Sequence, residues 1–231
     1  MANVKINTGT KEAPKTNNIA KRENAPLANP TAAIAGLEGD WGQSDMKAPY
    51  LKVVQPTSDV VETLGSDVIG HFLLDDVHDL GKTIKAVCFG LAKQYVEVLG
   101  KDEEFDPGNP PATFKTKGEA EEAGVEDIKP FSIVDLAIEI PEGNSADAIF
   151  TVENRNWALA RFYARGRSHY NCGCPIFQAC STKGDVTFAN REFQITAINK
   201  PIKGRNFRVA FAKSIGETSE ALRTKVGELI G

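Results

Sequence analysis

Two runs near the C-terminus, Arg191-Glu-Phe-Gln-Ile-Thr-Ala-Ile-Asn199 and Asn206-Phe-Arg-Val-Ala-Phe-Ala-Lys213, constrain the fold more than any other part of the chain. Phe193, Ile195 and Ala197 alternate in the first, and Phe207, Val209 and Phe211 in the second. A two-residue period places each set on one strand face, and the short connection from Lys200 to Arg205 makes the strands a hairpin. That connection carries Lys200, Lys203 and Arg205 and no acid. A basic hairpin loop suits contact with a phosphate backbone.

The rest of the chain repeats the strand pattern. Ala48 to Pro56 reads as a short strand between prolines, which push their preceding residues toward extended geometry. Phe72 to Leu74 is a second short apolar run, and Thr83 to Leu99 has β-branched and aromatic content for one long strand or two joined near Gly90. In Phe131 to Ile140, Val134, Leu136, Ile138 and Ile140 alternate as in a half-buried strand, with Ala148 to Val152 expected as its partner across a turn at Pro141 to Asn144. A strand over Trp157 to Arg165 puts Trp157, Leu159, Arg161, Tyr163 and Arg165 on one face and Ala158, Ala160, Phe162 and Ala164 on the other. Leu222, Val226 and Leu229 recur at helical spacing near the C-terminus, with Thr218 or Ser219 as N-cap, which predicts a helix over about 218–230. The expected class is mainly β, with some helix, as a barrel or sandwich.

Charge is segregated along the chain. Between Arg155 and Lys213 stand eleven Lys and Arg residues against Asp185 and Glu192 alone, although the whole chain carries a net charge of −4. Aromatic residues are interleaved with these cations, a composition that suits a groove for single-stranded nucleic acid, with cations on phosphates and rings on bases. The candidate residues are Trp157, Tyr163 and Phe207 for stacking and Arg161, Arg165, Arg167, Lys200, Lys203, Arg205 and Arg208 for phosphates. The bland alternative makes the rings core and the charges solvated surface. The segment of about 101–130 is acidic instead, with Pro107, Pro110 and Pro111 in its first part; it reads as a solvated insertion with a short helix near Gly118 to Ala123.

Residues 1–40 are rich in Asn, Thr, Lys, Ala and Pro without a sustained apolar period, which predicts a disordered arm before a single domain over 41–231. No apolar run reaches the roughly 20 residues of a membrane span, and the N-terminus lacks a secretory apolar stretch, so a cytoplasmic protein is expected. His169, Cys172, Cys174 and Cys180 offer the ligand types of a structural zinc site, while burial of thiols in a short helix through Pro175 to Cys180 explains the same residues; no other cofactor is implied. His71 to Asp79 concentrates His and Asp without a metal-site spacing and reads as a surface loop. Gly81-Lys-Thr83 lacks the first glycine and following helix of a phosphate-binding loop. Nothing in the pattern demands catalysis. A magnesium nuclease using Asp75, Asp76 and Asp79, and a structural or protein-interaction module, are the competing readings.

Pro49-Tyr-Leu-Lys-Val-Val-Gln-Pro-Thr-Ser58, followed by Gly65 and Gly70-His-Phe72, resembles the opening of a group of bacteriophage proteins associated with DNA replication and recombination and treated as single-stranded DNA-binding proteins. Phe193 to Ile198 and Lys203-Gly-Arg-Asn-Phe-Arg-Val209 are similar to the group's closing hairpin. The resemblance implies an antiparallel β-barrel of the oligonucleotide/oligosaccharide-binding (OB) kind. It also implies a non-enzymatic role in the host-cell cytoplasm, with single-stranded DNA and replication or recombination proteins as partners. The sequence ends Val-Gly-Glu-Leu-Ile-Gly231, without the acidic, Phe-ended tail of bacterial single-strand binders, so recruitment of partners through such a tail is not expected.

Overall fold

Alternating apolar residues in five long segments curl one sheet into a half-barrel. The computed structural model describes residues 49–99, 110–144, 146–182, 185–202 and 204–230. The expected arm over 1–40, the first residues 41–48 of the expected domain, and residues 101–109 of the acidic segment expected over about 101–130 lie outside them. Strand β1 (Tyr50–Val53) is followed by helix α1 (Val60–Leu64), a 3-10 turn (Ser66–Val68), β2 (Phe72–Leu74) and β3 (His78–Asp79). The long β4 (Thr83–Glu97) comes next, then β5 (Thr113–Phe114) and helix α2 (Lys117–Glu122). β6 (Ile128–Ile140), β7 (Phe150–Val152) and β8 (Arg155–Ala164) precede a π-helical turn (His169–Gly173) that runs into α3 (Cys174–Cys180). The small β9 (Ser181–Thr182) and β10 (Asp185–Val186) pair with each other; β11 (Arg191–Ile202), β12 (Arg205–Glu217) and α4 (Glu220–Ile230) complete the order.

The main sheet runs β12-β11-β4-β6-β8-β1-β2-β3. β4, β6 and β8 form an antiparallel meander, β11 returns antiparallel to β4, and β12 pairs with β11. The main-chain register of β4 slips once, between Cys88 and Gly90, so the expected break near Gly90 is a bulge within one strand. The concave face is apolar: Ile84, Ala86, Leu136, Ile138, Ala160, Phe162, Phe193 and Ile195 belong to one buried cluster. Helix α3 supplies Ile176 and Cys180 to that cluster and plugs the half-barrel. A smaller cluster on the convex face joins Val87, Phe89, Phe150 and Trp157 to Leu222 and Val226 of α4.

The helices begin where local chemistry says they should. Thr116 Oγ1 accepts from Glu119 N at 3.2 Å, while the Glu119 carboxylate reaches back to Lys115 N at 2.8 Å, a reciprocal arrangement that fixes the start of α2. Ser219 Oγ accepts from Leu222 N at 3.3 Å ahead of α4, so of the two expected caps Ser219 serves.

One pairing departs from expectation. Phe150–Val152 pairs with β8, not with β6, whose partner beyond β4 is β8 itself. Glu153 and Asn154 both take left-handed φ, 52° and 60°, and this two-residue turn folds β7 directly back onto β8.

A close contact seats the plug. A Cβ placed on Gly173 would lie 2.2 Å from Ser132 Oγ and 2.6 Å from Ser132 Cβ, so only glycine lets the π-helical turn touch β6. Gly173→Ala should lose on the order of 1–3 kcal/mol of stability by forcing helix and strand apart. A urea-unfolding midpoint unchanged in that variant would show that the plug is loosely held.

Candidate nucleic-acid interface

The sheet leaves a seam between β1 and β12, and the seam forms a groove. Gln55 closes part of it with its side-chain amide: Nε2 donates to Arg208 O at 2.7 Å and Oε1 accepts from Arg208 N at 2.9 Å. One side chain thus imitates a strand partner. Ser168 Oγ adds a second tie by accepting from Ala210 N at 3.1 Å. The resulting groove, of about 540 Å³, is lined by residues of β1, the end of β8, the turn after β8 and the start of β12.

Three rings reach its surface: Tyr50, Tyr163 and Phe207 are 38%, 39% and 39% exposed. Lys52, Arg165, Arg167 and Arg208 also line it, and among the described residues no Asp or Glu does. Tyr163 and Arg165 share a support in the buried ring of Phe131, whose centroid lies 6.5 Å from that of Tyr163 and 5.7 Å from the Arg165 guanidinium carbon. Gly166 turns the chain at φ 54°, so Arg165 and Arg167 leave either side of a tight corner. Arg208 crosses Gly70, where a Cβ would come within 3.3 Å of its Cδ; Gly70 also needs its φ of 85°.

The turn between β2 and β3 sets the groove's edge. Asp75 and Asp76 adopt φ of 50° and 64°. Asp75 Oδ1 accepts from Tyr50 N at 2.8 Å, and Asp76 takes both the Tyr50 hydroxyl and the Lys52 ammonium. Burial, helped by the Asp76 carboxylate, pushes the Tyr50 phenol up to about 12. Burial alone would raise Asp76, but the hydrogen bonds from Lys52 and Tyr50 hold it below the ordinary carboxylate range. Asp79 instead faces His71 Nδ1 at 2.8 Å. The carboxylates of the competing nuclease reading are therefore already engaged, Asp75 and Asp76 by Tyr50 and Lys52 and Asp79 by His71.

The structure gathers Tyr163, Arg165, Arg167, Phe207 and Arg208 from the expected set into this groove. Lys200 stands opposite Phe207 in the β11–β12 ladder, and the exposed Arg205 opens β12 next to it. Lys203 lies outside the described residues. Two expected contacts are corrected. Trp157 is 0% exposed, stacked 8° from parallel on Phe150 with the Arg155 guanidinium 4.5 Å from its ring centre, and α4 packs over the same cluster. Arg161 is 6% exposed and makes a bidentate pair with Asp135, at 2.7 Å from Nε and 3.2 Å from Nη2. Burial would lower its pKa, and Asp135 more than offsets that. Arg161 is thus a packed ion pair beneath the groove, not a phosphate ligand. Gly90 makes room for it, because a Cβ there would lie 3.0 Å from Asp135 Oδ2.

The zinc set is also not assembled. Among the described residues no three His, Cys, Asp or Glu side chains gather as a metal ion would require. Cys172 and Cys180 face the half-barrel interior, whereas His169 turns to Ser132 and Cys174.

A scan against protein families, a search of curated proteins and a search of solved structures each found no match.

Tyr50, Lys52, Gln55 and Phe131 were absent from the expected site. Their signal was local: Tyr50 and Lys52 alternate with Leu51 and Val53, so a strand there shows a ring and a cation on one face. The neighbour that makes them a groove, Arg208, is 153 residues from Gln55.

Proposed function

We propose that this chain binds single-stranded DNA without strong base preference, as a binding protein and not an enzyme, in the replication or recombination of a bacteriophage genome. The observation that carries the proposal is the groove in which Tyr50, Tyr163 and Phe207 stand among Arg165, Arg167 and Arg208, with Lys52 paired to Asp76 at its edge and no Asp or Glu among the described lining residues. Unpaired bases have free faces for such rings, which a duplex does not, and the cations meet the backbone whatever the sequence.

The strand order supports the same reading. A three-strand meander, β4-β6-β8, followed by a hairpin whose first strand pairs back with β4 matches a partly open five-stranded barrel of the OB kind. Such barrels bind oligonucleotides on the face of their second and third strands and with the loop between the fourth and fifth. The corresponding elements here carry Tyr163 on β8, backed by the buried Phe131 of β6, and Lys200 and Arg205 on the hairpin. The phage setting rests on the resemblance of the Pro49–Ser58 and Lys203–Val209 stretches.

Fluorescence anisotropy with a labelled oligonucleotide, single-stranded and duplex, at two salt concentrations tests the proposal. Retention of the single strand alone, weakening steeply with salt, is expected; equal or absent retention of both would reject it. Each groove cation replaced, as in Arg167→Gln, should reduce the slope of log affinity against log salt by about 0.7.

A further inference from the structure

Of four cysteines, Cys88, Cys172 and Cys180 are buried and Cys174 is partly exposed. Burial pushes the Cys172 thiol up to about 12 and raises Cys88 and Cys180 as well, which leaves them inert. Cys174 stands apart in its neighbours. Its Sγ lies 3.7 Å from His169 Nε2, and His169 Nδ1 lies 2.8 Å from Ser132 Oγ. The imidazole is only 4% exposed, and the ring of Tyr170 holds it edge-on at 4.8 Å. Nucleophile, base and orienting group thus follow one another in contact, the order in which a protein activates a thiol.

Burying a His and a Ser costs more than burying apolar residues of similar size, unless their hydrogen bonds are made. Here the bonds made fix the ring so that one nitrogen points at the thiol. Burial, and then the charge of Lys93 on β4, hold the His169 pKa below its ordinary value, so the resting imidazole is free to take a proton and gives it back readily to a departing thiolate.

We infer that Cys174 is a reactive thiol activated by His169 and Ser132, and that it exchanges with small disulfides to form a mixed disulfide on the plug of the half-barrel. The Cys174 S–H proton passes to His169 Nε2, and the sulfur attacks one sulfur of the incoming disulfide. A bond forms between the two sulfurs as the S–S bond of the reagent breaks. The departing thiolate takes the proton back from the imidazolium, so one disulfide and one thiol become one disulfide and one thiol. The inference does not depend on nucleic-acid binding.

The test is the rate at which dithiobis-nitrobenzoate labels the full-length folded chain, with the number and position of labelled thiols read by mass spectrometry. One thiol per chain should react, about tenfold faster than the same thiol in the urea-unfolded chain. Cys174→Ser should abolish that phase. His169→Gln should slow it about tenfold, and Ser132→Ala by a smaller factor. Labelling of the three buried thiols reports loss of the fold, so a variant that keeps them protected reads activation alone; Ser132→Ala serves should His169→Gln expose them. The assignment is overturned if the folded chain labels no faster than the unfolded one. It is equally overturned if the label sits on Cys88, Cys172 or Cys180, or if folded His169→Gln and Ser132→Ala chains react at the parent rate.

Discussion

Replacing Tyr163 and Phe207 together by alanine should weaken single-stranded DNA binding by roughly 2–6 kcal/mol, because each stacked base contributes about 1–3 kcal/mol on removal of its ring. Anisotropy titration at one fixed salt concentration measures the effect. The two rings come from opposite walls, Tyr163 from β8 and Phe207 from β12, so a strand lying in the groove meets both. Neither is buried, so the fold should survive their loss. Trp157→Ala is the informative contrast. Its ring is enclosed between β7 and α4, and its loss should cost about 3–5 kcal/mol of stability, with binding by the folded fraction unchanged. A double variant that binds as the parent does would remove the groove from the account.

Asp135→Ala should destabilise the protein by on the order of 3–5 kcal/mol, since it takes the carboxylate from a guanidinium whose side chain is 7% exposed. Asp135 itself keeps 16% exposure, which places the expected loss toward the lower end. The companion variant, Asp135→Leu with Arg161→Met, removes both charges and should be close to neutral, as apolar replacement of buried pairs often is. Urea-unfolding midpoints of the two variants decide the matter. Equal losses in both would mean that the site matters for shape and not for charge.

The strands were legible because period-two alternation survives in the sequence without knowledge of tertiary contacts. The β11–β12 hairpin, the two-faced pattern of β8 and the C-terminal helix all follow from spacing alone. Alternation names the residues that share a face, however, and says nothing of what covers it. Trp157, Arg161 and Tyr163 do share the convex face of β8, yet α4 covers the first and Asp135, 26 residues earlier, engages the second. Only Tyr163 is left in the open. The Phe150–Val152 partner was missed for another reason: Glu153-Asn154 makes a tight left-handed turn without the glycine that usually announces one. The cysteine cluster had metal-ligand types, but the π-helical turn and α3 bury Cys172 and Cys180 in the half-barrel interior, while His169 meets only Cys174 of the three and turns its other nitrogen to Ser132.

The amide of Gln55 bridges two parts of the chain that synthesis brings out far apart, 153 residues from Arg208. Joining such distant segments carries a large loop-closure entropy cost, so the walls of the groove are expected to meet after the local β11–β12 hairpin has formed. A chain cut before β12 would have one wall and no cleft. Because two side chains, Gln55 and Ser168, stand in for a ladder of main-chain bonds, this join should be where the half-barrel parts most readily, and an oligonucleotide laid across it should slow amide exchange at Arg208 and Ala210 first.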